Sequence, residues 1–329
     1  MRQDTLVRAL YREAVIESAS PPYDHITLKV YYPAAFGNTD EERNSGVIPA
    51  VQHGAPFPVV LMFPGINVDP QSYAWLAKAM AASGLVFVTF SHIAEEMPGY
   101  VSLSPGLDLG ALTPREYGSH CSATCLPSLL QELSALNRSG VLAGKLNLDC
   151  IVFGGHSAGG SVALFNARRA WCPGLAGCFV YGAHAGAATV LGWAEQSLMA
   201  LPAEVPTLFM GGDQDGVIAA SAHRYGTEAG HPTAIIERSF EQAGGNASGN
   251  CWLAIFKGAN HFSCVWPQDD STGRPYLDRA ETIDGAELRE SISRLTLDFT
   301  AAAVDPDSAA TDRLQRHRQN PAYRRFANR

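Results

Sequence analysis

Apolar positions along this chain recur with two periods. Residues 25–32 alternate, with Ile26, Leu28 and Val30 on one side, and residues 7–17 read as a strand before them. Short unbroken apolar runs follow at 58–63, 85–90, 151–153, 177–181, 205–210 and 251–256. Such runs predict strands buried on both faces. Helical spacing fills the gaps at 69–83, with Trp75, Leu76 and Met80 on one face, and at 126–142, 161–169, about 218–229 and 286–303. Residues 38–56 read as a polar loop, and 185–201 as an amphipathic helix or cap. Strands alternating with helices predict an α/β fold with a mainly parallel central sheet and helices on both faces. Ligands then bind at the carboxyl ends of the strands. Residues 1–303 are expected to form a single domain, with insertions at about 91–125 and 185–204. Residues 304–329 are expected to form a basic C-terminal tail.

Composition narrows the function classes. The chain has 329 residues, 46% of them hydrophobic, enough for a sizeable core. Its net charge is −8 and the body carries no basic patch, so nucleic acid is not expected as a partner. Arg313, Arg316, Arg318, Arg324, Arg325 and Arg329 cluster in the tail and read as a solvated helix or frayed terminus. No apolar run is long enough for a membrane span. The first residues lack the apolar core of a signal peptide, so a cytoplasmic or already processed protein is expected. Seven cysteines suggest mostly reduced thiols, and no zinc-binding spacing occurs.

The candidate chemistry centres on Gly155-His156-Ser157-Ala158-Gly159. An apolar strand precedes this Gly-x-Ser-x-Gly and a helix-compatible run follows it, the context of a sharp turn that lifts a serine hydroxyl above a sheet. Ser157 is thus the candidate nucleophile. Asp215, in a Gly-x-x-Asp-x-Val frame after the strand at 205–210, is the preferred acid. Asp213 is the alternative, and either can serve as turn chemistry. His261, directly after the strand at 251–256, is the candidate base. The order Ser157, Asp215, His261 matches one of the known serine-hydrolase orders. Ala158 and Ile66 are the expected backbone donors to an oxyanion. His156, His184, Trp193 and Phe262 are the candidates for touching substrate.

On these residues the chain resembles the α/β-hydrolase superfamily, from about Val59 to Phe262. The likeness rests on Phe63-Pro64-Gly65, the elbow through Gly160, and the turn from Gly212 to Asp215. It is most similar to the branch of chlorophyllases, dienelactone-hydrolase-like proteins, platelet-activating-factor acetylhydrolases and cutinase-like enzymes. The resemblance implies hydrolysis of a carboxylic ester through an acyl-enzyme, without metal or organic cofactor. A small or lipid-like ester is the expected partner, and surface association with an apolar substrate is compatible with it. Met97, Tyr100, Leu107, Trp193 and Met199 in the insertions suggest an apolar substrate. Chlorophyll dephytylation, acyl transfer, amide or thioester hydrolysis, and a silent hydrolase-like binding protein are the alternatives.

Overall fold

The computed structural model describes residues 6–228, 230–243, 250–306 and 308–329; the side chains of residues 96, 97 and 308 lie outside that description, and with them the Met97 side chain. The continuous apolar runs become strands because both of their faces are covered. In β3 (Phe57–Phe63), Phe57, Val59, Leu61 and Phe63 enter one core, while Val60 and Met62 enter the other. Each such buried side chain contributes roughly 1.5–3 kcal/mol.

Two antiparallel strands, β1 (Leu6–Val15) and β2 (His25–Ala34), open the sheet. The parallel body is β3, β4 (Val86–Met97), β6 (Leu146–His156), β7 (Leu175–Tyr181), β8 (Thr207–Gly212) and β9 (Cys251–Phe256). The spatial order is β1-β2-β4-β3-β6-β7-β8-β9-β10, where β10 is Tyr323–Asn328, with a short β5 (Tyr100–Leu103) pairing beyond the body of β4. One face is covered by α3 (Leu126–Leu136) and α4 (Ser157–Phe165), through Leu129, Leu133, Val162 and Phe165. The other is covered by α2 (Ala74–Ala82) and α7 (Gly285–Val304), through Leu76, Met80, Ile292, Leu295 and Phe299. The expected α/β architecture, with a mainly parallel sheet and helices on both faces, is the one observed.

Three segments differ from expectation. The polar stretch at 38–56 contains a helix, α1 (Asp40–Ser45). Thr39 and Glu42 form a reciprocal capping box there, with bonds of 3.2 and 2.9 Å. The segment 185–201 is not an amphipathic helix. Its strands bridge back on themselves between Gly186 and Leu198, and Met199 N–H donates to the Ala185 carbonyl at 2.8 Å. Backbone at Gly192 and Gln196 takes φ values of +94° and +60°, which no helix accommodates. The basic tail is not frayed; its helix is solvated, as one reading expected, and its end joins the sheet. Residues 308–316 form α8 and 323–328 form β10, antiparallel to β9. Arg324 and Arg325 both pair with Glu237, and Arg313 pairs with Asp298. Apolar runs alone did not mark β10, because an edge strand is held by its ladder and by those ion pairs.

Candidate active site

The strand ends of β6, β8 and β9 meet above the sheet. β6 runs into Ser157, the first residue of α4, which takes φ +54°. A non-glycine residue there costs about 1–3 kcal/mol, so the surrounding packing must impose it. Gly159 shows how. A Cβ at this position would lie 2.2 Å from the Pro64 carbonyl oxygen and 2.3 Å from that of Phe63. Only glycine lets the first turn of α4 rest on the end of β3. That contact brings the loop after β3 beside Ser157.

The Ser157 hydroxyl donates to His261 Nε2 at 2.9 Å, and His261 Nδ1–H donates to Asp215 Oδ2 at 2.8 Å. Asp215 is fully buried and His261 is 2% exposed, whereas Ser157 is partly open. Asp215 is also the N-cap of α5 (Gly216–Ala220), its Oδ1 accepting from Ile218 N–H at 2.8 Å. One carboxylate oxygen thus holds the helix and the other holds the histidine. Asp213 points elsewhere: its Oδ1 accepts from Gly258 N–H at 2.8 Å and from the Gln214 side chain at 3.0 Å. The structure therefore brings Asp215, not Asp213, to His261. Gly182, at φ +61°, leaves room for the pair; a Cβ would sit 3.0 Å from the His261 ring.

Every polar group of His261 is occupied. Its backbone N–H donates to Asp278 Oδ2 at 2.8 Å, and its carbonyl accepts from His156 Nε2–H at 3.0 Å. Asp278 Oδ1 accepts from Gly216 N–H at 2.8 Å. This carboxylate therefore ties the backbone next to Asp215 to the backbone of His261. Burial, and then the neighbouring Asp215, push the Asp278 carboxyl above the ordinary range. On the other side, Gly65 N–H donates to the Tyr73 hydroxyl at 3.0 Å, and that hydroxyl donates to His156 Nδ1 at 2.8 Å. One relay of hydrogen bonds thus joins the loop after β3 to the loop that carries His261.

The sequence reasoning missed Asp278 and Tyr73. Asp278 lies in an irregular connection with no motif, and Tyr73 reads as an ordinary member of an apolar helix face. Their partners are 17 and 83 residues away in sequence.

Among the expected oxyanion donors, Ile66 is partly open, and no described acceptor engages its N–H. Ala158 lies in the first turn of α4, where N–H groups have no intrahelical acceptor. The four expected substrate contacts divide differently. His156 is fully buried and both its nitrogens are engaged, so it cannot touch a substrate. Trp193 Nε1 donates to the Leu112 carbonyl at 2.7 Å and its ring packs on Tyr117, so it clamps the two insertions together. Phe262 is 8% exposed and packs edge-on against the His261 ring, 5.2 Å between centroids. His184 accepts from Gly186 N–H, and its ring meets Tyr225 at 4.7 Å.

Two buried imidazoles make stability depend on pH. Burial first, and the nearby His261 second, hold His156 well below the usual histidine value and lower His184 to about 4. Both are neutral when folded, whereas the unfolded chain takes up their protons as the pH falls through about 6.5. Their contribution is complete above that value and is lost progressively below it, by about 1.4 kcal/mol per pH unit for each group. Unfolding by urea should show about 4 kcal/mol less stability at pH 5 than at pH 7. Equal stabilities at the two pH values would contradict the neutral assignment.

No family model matches the chain, and a search of curated proteins finds no match. Among solved structures, a ferulic acid esterase from Streptomyces cinnamoneus superposes with a TM-score of 0.56. The match covers 92% of this chain and 94% of that one, at 14% sequence identity. At that identity the likeness speaks for architecture, and with the strand order above it establishes that this chain has the α/β-hydrolase fold.

Proposed function

We propose that the protein is a serine hydrolase that cleaves a carboxylic ester through an acyl-enzyme. The observation that carries this reading is the aligned relay Ser157–His261–Asp215, at 2.9 and 2.8 Å, with Ser157 strained at φ +54°. The likeness to a ferulic acid esterase supports ester hydrolysis in general. The intact relay weighs against a silent binding protein.

In this reading His261 Nε2 takes the Ser157 proton as the Oγ attacks the ester carbonyl. The C–O π pair moves onto the carbonyl oxygen, and the N–H groups of Ala158 and Ile66 receive the oxyanion. Collapse expels the alkoxide, which takes the proton from His261. Water then repeats the sequence on the acyl-enzyme: His261 removes its proton, the acid leaves, and Ser157 regains its hydrogen. Asp215 stabilises the imidazolium at each stage. No step calls on a metal or an organic cofactor.

The test combines turnover with covalent trapping. p-Nitrophenyl esters should be hydrolysed, and a fluorophosphonate should abolish turnover while adding one adduct, mapped to Ser157. An adduct elsewhere, or full turnover after labelling, would sink the reading. Running amide, thioester and chlorophyll substrates in parallel separates the alternative acyl chemistries.

Asp278 supplies a second test. Asparagine there has one acceptor oxygen, yet both carboxylate oxygens receive backbone N–H groups. Its NH₂ would face one of those donors, loosening the register between Asp215 and His261. A misplacement of this kind costs up to about a hundredfold. Asp278→Asn should therefore lower kcat by about tenfold or more with KM little changed. An unchanged kcat in a folded variant would remove Asp278 from this role.

A further inference from the structure

The rim of the site carries a cation that no described carboxylate neutralises. Arg274 is half-buried, and its Nη1 donates only to the Ser221 hydroxyl, at 3.2 Å. Among the described residues no carboxylate pairs with it or with its neighbour Arg224. Three of the tail arginines behave otherwise, since Arg324 and Arg325 share Glu237 and Arg313 takes Asp298.

The position of Arg274 relative to Ser157 follows from its neighbours. Thr272 Oγ1 donates to the Asn67 carbonyl at 2.9 Å, and a Cβ on Gly273 would lie within 4 Å of the Ile66 and Asn67 carbonyls. The segment leading into Arg274 thus lies against the loop that carries the Ile66 N–H. On its other side, Ser221 ends the helix that Asp215 begins. Tyr225 follows, stacked edge-on against His184, and His184 is near enough to His261 to feel its charge. Tyr100, which accepts from the Asn67 side chain at 3.2 Å, lies within electrostatic reach of the guanidinium, as does Tyr225. The cation is therefore set between the two walls that flank Ser157.

A guanidinium cannot shed its proton, and burying one without a partner is costly. Burial and then Arg224 both act against the Arg274 charge. An anion arriving with the substrate would remove that cost. Its planar fork of donors fits a carboxylate through two parallel bonds. The whole chain carries a net charge of −8, so a local cation at this rim selects an anionic group against the general field. Of the apolar residues in the insertions, Met199 is buried in the core and Leu107 and Trp193 are partly buried against that core, while Tyr100 is exposed.

We propose that the ester cleaved at Ser157 carries a carboxylate, held by Arg274 while the scissile carbonyl lies over the serine. This rests on the ester-hydrolase reading and refines it from an apolar ester to an anionic one.

The experiment compares matched esters. On the acyl side, p-nitrophenyl hydrogen glutarate is set against p-nitrophenyl hexanoate. On the alcohol side, the acetyl ester of p-hydroxybenzoate is set against that of p-cresol. In at least one pair the wild type should favour the anionic member in kcat/KM, by about tenfold or more. That preference should vanish in Arg274→Gln and survive in part in Arg274→Lys, which keeps the charge without the fork. Preferences equal in wild type and Arg274→Gln for both pairs would overturn the proposal, whatever the absolute rates. Calorimetric titration of glutarate and p-hydroxybenzoate into Ser157→Ala protein, with and without Arg274→Gln, reads the site independently of chemistry. Weaker binding with the second substitution supports the anion site. Equal affinities, or no binding to either, reject it. Failure of every ester with binding intact would reject the hydrolase reading alone.

Discussion

If the protein is the proposed ester hydrolase, turnover should fall by about a millionfold when Ser157 is replaced by alanine, the loss found when a serine nucleophile is deleted from a working relay. The hydroxyl removed lies at the end of β6, 2.9 Å from the proposed base. Little else should change, because alanine removes one oxygen from a partly open site. It also leaves the strained backbone to be held by the same glycines. His261→Ala should cost about as much, and the double variant scarcely more, because the two groups act as one unit. The residual rate over water then measures what binding and the Ala158 and Ile66 donors supply alone, about 10³–10⁴-fold. Single-turnover kinetics on the purified variants check this. A Ser157→Ala protein within tenfold of wild type would remove Ser157 as nucleophile.

The second large effect separates two aspartates that the sequence places side by side. Asp215→Asn should lower kcat by about 10⁴-fold. The amide oxygen can still accept from Ile218 N–H, so the cap on α5 survives. The amide NH₂ then faces His261 Nδ1 and forces the proton onto Nε2, where the imidazole can no longer accept from Ser157. Asp213→Ala should leave kcat within a few-fold of wild type and instead lower stability by about 1–3 kcal/mol, because the buried-side donor of Gly258 loses its acceptor. Steady-state kinetics and urea unfolding on the pair distinguish the outcomes. A large kcat loss in the folded Asp213 variant, with none in Asp215→Asn, would reverse the assignment.

The arrangement around His261 suggests why its geometry is stable in a loop. Its N–H, its carbonyl and both ring nitrogens each have a partner, drawn from Asp278, His156, Asp215 and Ser157. The Tyr181 hydroxyl adds a bond to the preceding carbonyl of Asn260, at 2.7 Å. A histidine on an untethered loop would sample many orientations, and a general base is effective only within hydrogen-bond reach of the proton it removes.

Much of this was legible along the chain. The alternation of buried strands with helices specified an α/β sheet, because a run apolar at every position has to be covered on both faces. Gly-x-Ser-x-Gly between a strand and a helix marked the turn, because bulkier residues collide there with backbone. Residues after strand ends marked the candidate acid and base, because parallel strands all deliver their next residues to the same edge. Segment 185–201 misled because its apolar residues do recur at helical intervals. They lie instead on a loop that folds back, with positive φ at two positions. The C-terminal arginines read as a charged tail because their acidic partners, Glu237 and Asp298, are separated from them in sequence.

The sequence by itself thus determined the architecture, the candidates Ser157 and His261, and their order around an acid that was either Asp213 or Asp215. These depend on local pattern and on the direction of parallel strands. Only the tertiary structure decided which aspartate faces the histidine, that His156 is buried as a strut, that Asp278 joins two loops, and that Arg274 stands at the rim with no described carboxylate beside it. Each of those follows from distances between residues remote along the chain, and such distances are set by how the sheet and its loops pack, which no local pattern encodes.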